Sequence, residues 1–123
     1  MLLLMVEDEE DTADLIRLNL EQAQYEVIHA KDGQSAQGLI DSMPPPDLVL
    51  LDIQLPVVSG LDLLTYIRKQ AGWEEVPVAM LTSDNNAQDV KRALENGAND
   101  YILKPLHPQQ LVVRINRLIN LVG

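Results

Sequence analysis

Short apolar runs alternate along the chain with longer stretches in which apolar residues return every three or four positions. The first run, Leu2-Leu3-Leu4-Met5-Val6, is too short for a helix and predicts a strand; Ala13, Ile16, Leu20 and Ala23 behind it predict an amphipathic helix. Tyr25 to Ala30 is rich in strand-favouring residues, and past the Asp32-Gly33 turn signal a second helical stripe runs through Ala36, Leu39, Ile40 and Met43. Pro44, Pro45 and Pro46 stop that helix. Leu48 to Leu51 is wholly apolar and ends on Asp52. Beyond a loop holding Pro56 and Gly60, Leu63, Leu64 and Ile67 mark a third helix, and Val76 to Leu81 a fourth strand. Ala87, Val90 and Leu94 give the stripe of a fourth helix, with Gly97 placed to end it in a left-handed conformation. Tyr101-Ile102-Leu103 is a short fifth strand. The last helix carries Leu111, Ile115, Leu118 and Val122, and its first turn suits Pro108.

Strands that alternate with helices, and that are apolar throughout instead of at every second residue, imply a parallel sheet covered by helices on both faces. The expected fold is α/β, a doubly wound five-stranded parallel sheet in the flavodoxin-like order 2-1-3-4-5 with five helices. Length agrees, since 123 residues at 46% hydrophobic suffice for one core, so residues 1–123 are expected to form a single domain.

Charge narrows the functions open to such a domain. Nine Lys and Arg against nineteen Asp and Glu leave a net charge of −10, and the basic residues are scattered, so the chain is expected to bind neither nucleic acid directly nor a membrane. The Leu2 to Val6 run is too short for a bilayer and has acids beside it, which argues against a signal peptide or anchor and for a cytoplasmic location. The absence of cysteine excludes a disulfide framework, Cys-ligated zinc and thiol chemistry.

In open parallel sheets ligands bind beyond the carboxyl ends of the strands, at the point where strand order reverses. Those ends read Glu7-Asp8, Asp52, Thr82-Ser83 and Lys104; the second strand alone ends in nothing chemical. The first and third strands lie side by side in this order, so Glu7, Asp8 and Asp52 converge. Three carboxylates in one crevice repel each other unless a hard cation offsets them, and Mg2+, which takes carboxylate and phosphate oxygens, fits best. A hydroxyl from Thr82 and the Lys104 ammonium would then bind phosphoryl oxygens, and Asp52 is the candidate nucleophile for an aspartyl phosphate. Each residue also has a plainer reading. Glu7 to Asp11 complement a positive helix N-terminus, Asp52 forms a turn, Thr82 is a strand-end hydroxyl and Lys104 a surface lysine. Only their joint placement favours one site.

The segments Val6-Glu7-Asp8-Glu9, Asp52 with Pro56 and Gly60 behind it, Leu81-Thr82-Ser83, Gly97-Ala98-Asn99-Asp100-Tyr101 and Lys104-Pro105 follow one another in an order with a known counterpart. Over nearly its whole length the chain resembles the receiver domain of two-component response regulators, similar to the chemotaxis-type single-domain regulators. The resemblance implies that Asp52 accepts a phosphoryl group from a phosphohistidine on a sensor histidine kinase or phosphotransfer protein. It implies Mg2+, for which Mn2+ can stand in, held by Asp8, Asp52 and the backbone carbonyl of Gln54, with Glu7 acting largely through water. Thr82 and Lys104 would contact the phosphoryl oxygens, Tyr101 would turn inward as Thr82 moves, and the face of the fourth helix, fifth strand and fifth helix would switch. Lys104-Pro105 matches the family's cis peptide. Gln54 and Asp84 stand where the rate of phosphate loss is tuned.

Asp100 and Arg114 match members of an ionic set that dimerises DNA-binding regulators of the family, which implies a phosphorylation-dependent homodimer and transcription regulation; Gln110 stands where a glutamate is usual. Ser59 and Leu106 also depart from the pattern, away from the chemistry. Such a domain is not an enzyme beyond its own phosphorylation and dephosphorylation. His29 and His107 have no suggestive neighbours and are expected to be structural or exposed, and Trp73 to pack locally before the fourth strand. The alternatives are a degenerate receiver acting as a protein-binding module, a haloacid-dehalogenase-like phosphatase, which would want an Asp where Gln54 stands, and a flavodoxin, whose phosphate Glu7-Asp8 would repel. Either a complete single-domain regulator or a receiver belonging to a longer chain accords with a sequence that reaches Gly123 directly after its last helix.

Overall fold

The computed structural model describes residues 1–83, 87–104 and 107–122. Five strands, β1 (Leu2–Val6), β2 (Glu26–Ala30), β3 (Leu48–Asp52), β4 (Val78–Thr82) and β5 (Asp100–Leu103), alternate with five helices, α1 (Glu10–Gln22), α2 (Gly33–Ser42), α3 (Gly60–Lys69), α4 (Ala87–Glu95) and α5 (Pro108–Val122). The strands pair in parallel in the order β2-β1-β3-β4-β5, the expected doubly wound sheet.

Successive residues of a strand face opposite sides of the sheet, so each strand feeds two cores. Leu4, Val6, Val49, Leu51, Val78 and Met80 face the side covered by α2, α3 and α4, and Trp73 is buried there as part of the main cluster. Leu3, Met5, Leu48, Leu50, Ala79 and Leu81 face α1 and α5, where they meet Ile16, Leu20, Leu111 and Ile115. All residues of β3 and β4 are buried. This double covering explains why those strands read as unbroken apolar runs. The edge strands β2 and β5 are half-buried and correspondingly mixed in sequence.

Element boundaries differ from the sequence pattern where backbone chemistry intervenes. β4 starts at Val78, two residues later than the apolar run, because Pro77 has no N–H for the ladder; its carbonyl still accepts from Val49 N at 2.9 Å. β2 starts at Glu26 because the Tyr25 N–H is used to close α1. Tyr25 N donates to Leu20 O and Gln24 N to Glu21 O, the paired bonds of a Schellman motif, and Gln24 takes the left-handed position at φ 74° that glycine usually fills. The same closure ends α4, with Ala98 N to Ala93 O and Gly97 N to Leu94 O, and there Gly97 does hold φ 103°. The stripe expected on α4 is corrected: Ala93 is the buried residue, Leu94 is 51% exposed and Ala87 is exposed. A small side chain at the contact lets this polar helix lie against the sheet. On α5, Leu111, Ile115 and Leu118 are buried as expected, and the Val122 side chain lies outside the described residues.

Arg68, at the end of α3, joins the segments that lead into β4 and β5. Its guanidinium donates to the carbonyls of Trp73 (3.0 Å), Val76 (2.7 Å) and Gly97 (2.7 Å) and to Asn99 Oδ1 (3.0 Å), and Asn99 Oδ1 also accepts from Val78 N. Among the described residues no helix is long and apolar enough to cross a membrane.

Candidate functional site

The carboxyl ends of β1, β3 and β5 bring Glu7, Asp8, Asp52 and Lys104 together. Asp52 closes β3 and is 2% exposed, Glu7 follows β1 and is fully buried, and Asp8 is exposed beside them. One carboxylate oxygen of each acid lies within 4.8 Å of the others. Lys104 Nζ donates to Asp52 Oδ2 at 3.2 Å and lies 2.6 Å from Glu7 Oε1. The second contact is an ion pair without hydrogen-bond alignment, so Glu7 Oε1, buried from solvent, has no hydrogen-bond partner.

Local structure fixes the nucleophile candidate. Gln54 N donates to Asp52 Oδ1 at 3.0 Å, so each Asp52 oxygen has a donor. The chain then turns tightly, with Val58 N bonded to Pro56 O at 2.8 Å and Val57, fully exposed, at φ 67°. That conformation is strained for a β-branched residue. Ser59 caps α3 by accepting from Asp62 N, and Gly60 presses the helix onto the site: a Cβ there would fall 2.2 Å from the Asp52 carbonyl oxygen. Glycine is required by that approach.

Burial and the neighbouring Asp52 carboxylate raise the Glu7 carboxyl from 4.5 to about 7, against the opposing pull of Lys104. Burial alone would lower the Lys104 ammonium, but its close contact with the Glu7 carboxylate and the attraction and hydrogen bond of Asp52 outweigh it and hold its pKa above the ordinary lysine value. A crevice that keeps one carboxyl partly protonated is short of positive charge. The buried Glu7 oxygen, ion-paired to Lys104 but without a hydrogen bond, and the all-oxygen donor set fit a hard divalent cation such as Mg2+.

Thr82 ends β4 and is fully buried, and Lys104 N donates to Thr82 O at 2.7 Å. Met80 is in register with Tyr101, which places Thr82 and Tyr101 two residues apart on one sheet face, the one covered by α4. Tyr101 is half-buried and packs against that core; it is not part of the acid cluster. Ser83 Oγ donates to Gln54 Oε1 at 3.1 Å across the rim. Asp100 and Arg114 pair with each other, through bonds of 2.7 and 2.9 Å, joining β5 to α5 within the chain. Asp84 and Pro105, and with Pro105 the cis peptide, lie outside the described residues, as does Leu106.

One contact escaped the sequence pattern. His29, half-buried on β2, lies with Nε2 2.8 Å from the carbonyl oxygen of Glu7 and Nδ1 3.1 Å from the Arg17 guanidinium. The alternation of Tyr25, Val27 and His29 toward the α1 side was its only signal.

Comparisons with known proteins agree with this geometry. The family model for the response regulator receiver domain matches residues 3–116. The phosphate regulon transcriptional regulatory protein PhoB of Klebsiella pneumoniae is 38% identical over 121 residues, 98% of this chain and 52% of that protein. The DNA-binding dual master transcriptional regulator RpaA of Synechocystis is 34% identical over 95% of this chain and 48% of its own length. The chain thus spans about half the length of these curated relatives. Among solved structures, Vibrio cholerae chemotaxis protein CheY4 superposes with a TM-score of 0.90 at 26% identity, covering 95% of this chain and 97% of that one. The receiver domain of a Pseudomonas aeruginosa sensor histidine kinase, with magnesium coordinated in its active site cleft, superposes at 0.88 with 30% identity and 97% coverage of each chain. A match over nearly the whole chain, on a fold with an acid crevice where phosphoryl chemistry would need it, means that the chain belongs to the receiver domains of two-component response regulators.

Proposed function

We propose that Asp52 is the phosphoacceptor of this receiver domain and that Glu7, Asp8, Thr82 and Lys104 serve it. The observation that carries this is the convergence of three carboxylates and one ammonium on the buried end of β3. With Oδ1 held by Gln54 N and Oδ2 by Lys104, the Asp52 carboxylate is oriented before a donor arrives. One Asp52 oxygen attacks the phosphorus of a phosphohistidine, the P–N bond breaks, and the imidazole departs with its electron pair. Lys104 and the Thr82 hydroxyl then receive the phosphoryl oxygens. Asp8, Asp52 and the Gln54 carbonyl would hold Mg2+ or Mn2+, with Glu7 beside them; when bound, the cation supplies neutralisation of the phosphoryl charge. Thr82 and Tyr101, on one face of adjacent strands, form the switch toward α4, β5 and α5. Gln54, at the rim, together with Asp84, tunes phosphate loss.

Receiver domains interact with histidine kinases or phosphotransfer proteins, and signalling rather than catalysis of an external reaction is their usual role. For this chain a cytoplasmic location, a sensor kinase partner and a phosphorylation-dependent homodimer through the Asp100 and Arg114 face are part of the same reading. Relatives named as transcriptional regulators support a transcriptional output, and the charge of −10 assigns DNA contact to a different domain. The test is incubation with acetyl phosphate and Mg2+. The wild type should gain one hydroxylamine-labile phosphate by intact mass and Asp52→Asn none; equal labelling of the variant would refute the assignment.

A further inference from the structure

The carbonyl of Glu7 lies one residue beyond the end of β1, and the strand that would supply its next ladder donor ends at Ala30. Glu7 N still reaches Ala30 O at 3.1 Å. Its carbonyl is instead met by a side chain, His29 Nε2 at 2.8 Å. Arg17, reaching over from α1, fixes the chemistry of that contact. A guanidinium only donates, so His29 Nδ1, 3.1 Å from Arg17 Nη2, must accept, and Nε2 must carry the ring proton and donate to the Glu7 carbonyl. No carboxylate among the described residues forms an ion pair with Arg17, and its buried Nε has no hydrogen-bond partner. The guanidinium is spent on orienting an imidazole.

The bond matters because of which peptide it holds. The Glu7 carbonyl and the Asp8 N–H belong to one planar unit, so fixing the carbonyl fixes the direction in which the chain enters Asp8. Asp8 is exposed and has no strand to hold it; the plane of this peptide sets where its carboxylate points relative to Glu7 and Asp52. His29 also lines an open cleft of about 500 Å³ with Asp8, Lys31 and Ser35. Water from that cleft would satisfy the Glu7 carbonyl if the imidazole were removed, but would not fix its direction.

We propose that His29 is a positioning residue for the acid cluster: its Nε2–H, held in that tautomer by Arg17, sets the Glu7–Asp8 peptide and thereby pre-forms the divalent-cation site. The inference rests on the reading of Glu7, Asp8 and Asp52 as that site. His29 touches neither the cation nor the phosphoryl group.

The experiment compares wild type, His29→Gln, His29→Leu and Asp8→Asn in the full chain by amide NMR, first in EDTA and then through a Mg2+ titration. In EDTA the Asp8 amide signal of His29→Leu should move while most core signals stay, and its Mg2+ affinity should fall about tenfold, the usual cost of losing a group that orients a ligand. His29→Gln, whose amide can donate to the same carbonyl, should stay within about threefold of wild type. Phosphorylation by acetyl phosphate at saturating Mg2+ should be equal in wild type and the two His29 variants. A folded His29→Leu with wild-type Mg2+ affinity and an unmoved Asp8 amide overturns the proposal. If that variant does not fold, Arg17→Leu decides it: imidazole 15N shifts should report loss of the pure Nε2-protonated tautomer, and an unchanged tautomer overturns the assignment. Wild-type protein that ignores Mg2+, or Asp8→Asn that binds it equally well, brings down the cation-site reading instead, and the Asp8 signal in EDTA still judges the role of His29.

Discussion

Lys104 lies closer to Glu7, at 2.6 Å, than to Asp52, at 3.2 Å. The ammonium therefore substitutes for missing positive charge across the whole acid cluster and is shared between the two carboxylates. Its removal should act in two opposite directions. Lys104→Met should bind Mg2+ several-fold more tightly, because a competing cation is gone, yet accept phosphate from acetyl phosphate on the order of 100-fold more slowly, because a donor to the phosphoryl oxygens is lost. Titration calorimetry and the labelling rate read the two effects separately; weaker Mg2+ binding by this variant would contradict the shared-charge account.

Acid destabilises a fold whose carboxylates are paired or hydrogen-bonded in the native state, but Glu7 works the other way in the metal-free state. Its folded pKa of about 7 lies above the ordinary 4.5, so between those values the folded state holds a proton that the unfolded state has released. This group's contribution is complete below about pH 4.5 and is lost as pH rises through about 7. Urea melts in EDTA should show stability declining over that window, and saturating Mg2+ should remove the decline by stabilising the charged form. Glu7→Gln in EDTA should flatten the profile.

Among the described residues two non-glycine residues occupy left-handed backbone, and both are exposed. Gln24→Gly should relieve the Schellman position at the end of α1, and Val57→Gly the turn beyond Asp52, each stabilising by about 1 kcal/mol and raising Tm by roughly 4 °C. Scanning calorimetry is sufficient. Val57 packs against nothing, so an unchanged Tm would show that its turn is relaxed in solution.

Gly60→Ala should cost about 1–3 kcal/mol, since the added methyl would meet the Asp52 carbonyl oxygen and the Ile53 Cα instead of a yielding side chain. The same strain displaces Asp52 from Gln54 N and Lys104, so slower labelling should accompany the lower Tm. Loss of stability at full labelling rate would separate the helix contact from the site.

Strand order and acid cluster were legible because parallel strands buried on both faces must be apolar and because chemistry in such sheets sits at strand ends. Leu48 to Leu51 followed by Asp52 carries both messages in five residues. Less visible were features decided by single backbone bonds. Nothing in Gln24 or Val57 signals a positive φ, since glycine is the usual marker, and Pro77 looked like part of a strand until its missing N–H was counted. The phase of α4 was hidden because its contact is an alanine, which no hydrophobic stripe emphasises beside Leu94. Arg68 and His29 bind carbonyls, and carbonyls are the same in every sequence.

The uneven thickness of packing across the sheet has a mechanical consequence. β3 and β4 are enclosed on both sides, so Asp52 and Thr82 sit on a stiff floor that leaves little room for a shifted side chain. β5 is half open, and α4 is pinned through one small buried residue. Under the proposed switch, stress introduced at Thr82 would yield where resistance is least, toward β5 and α4, so the gradient of burial sets the direction in which the domain would deform.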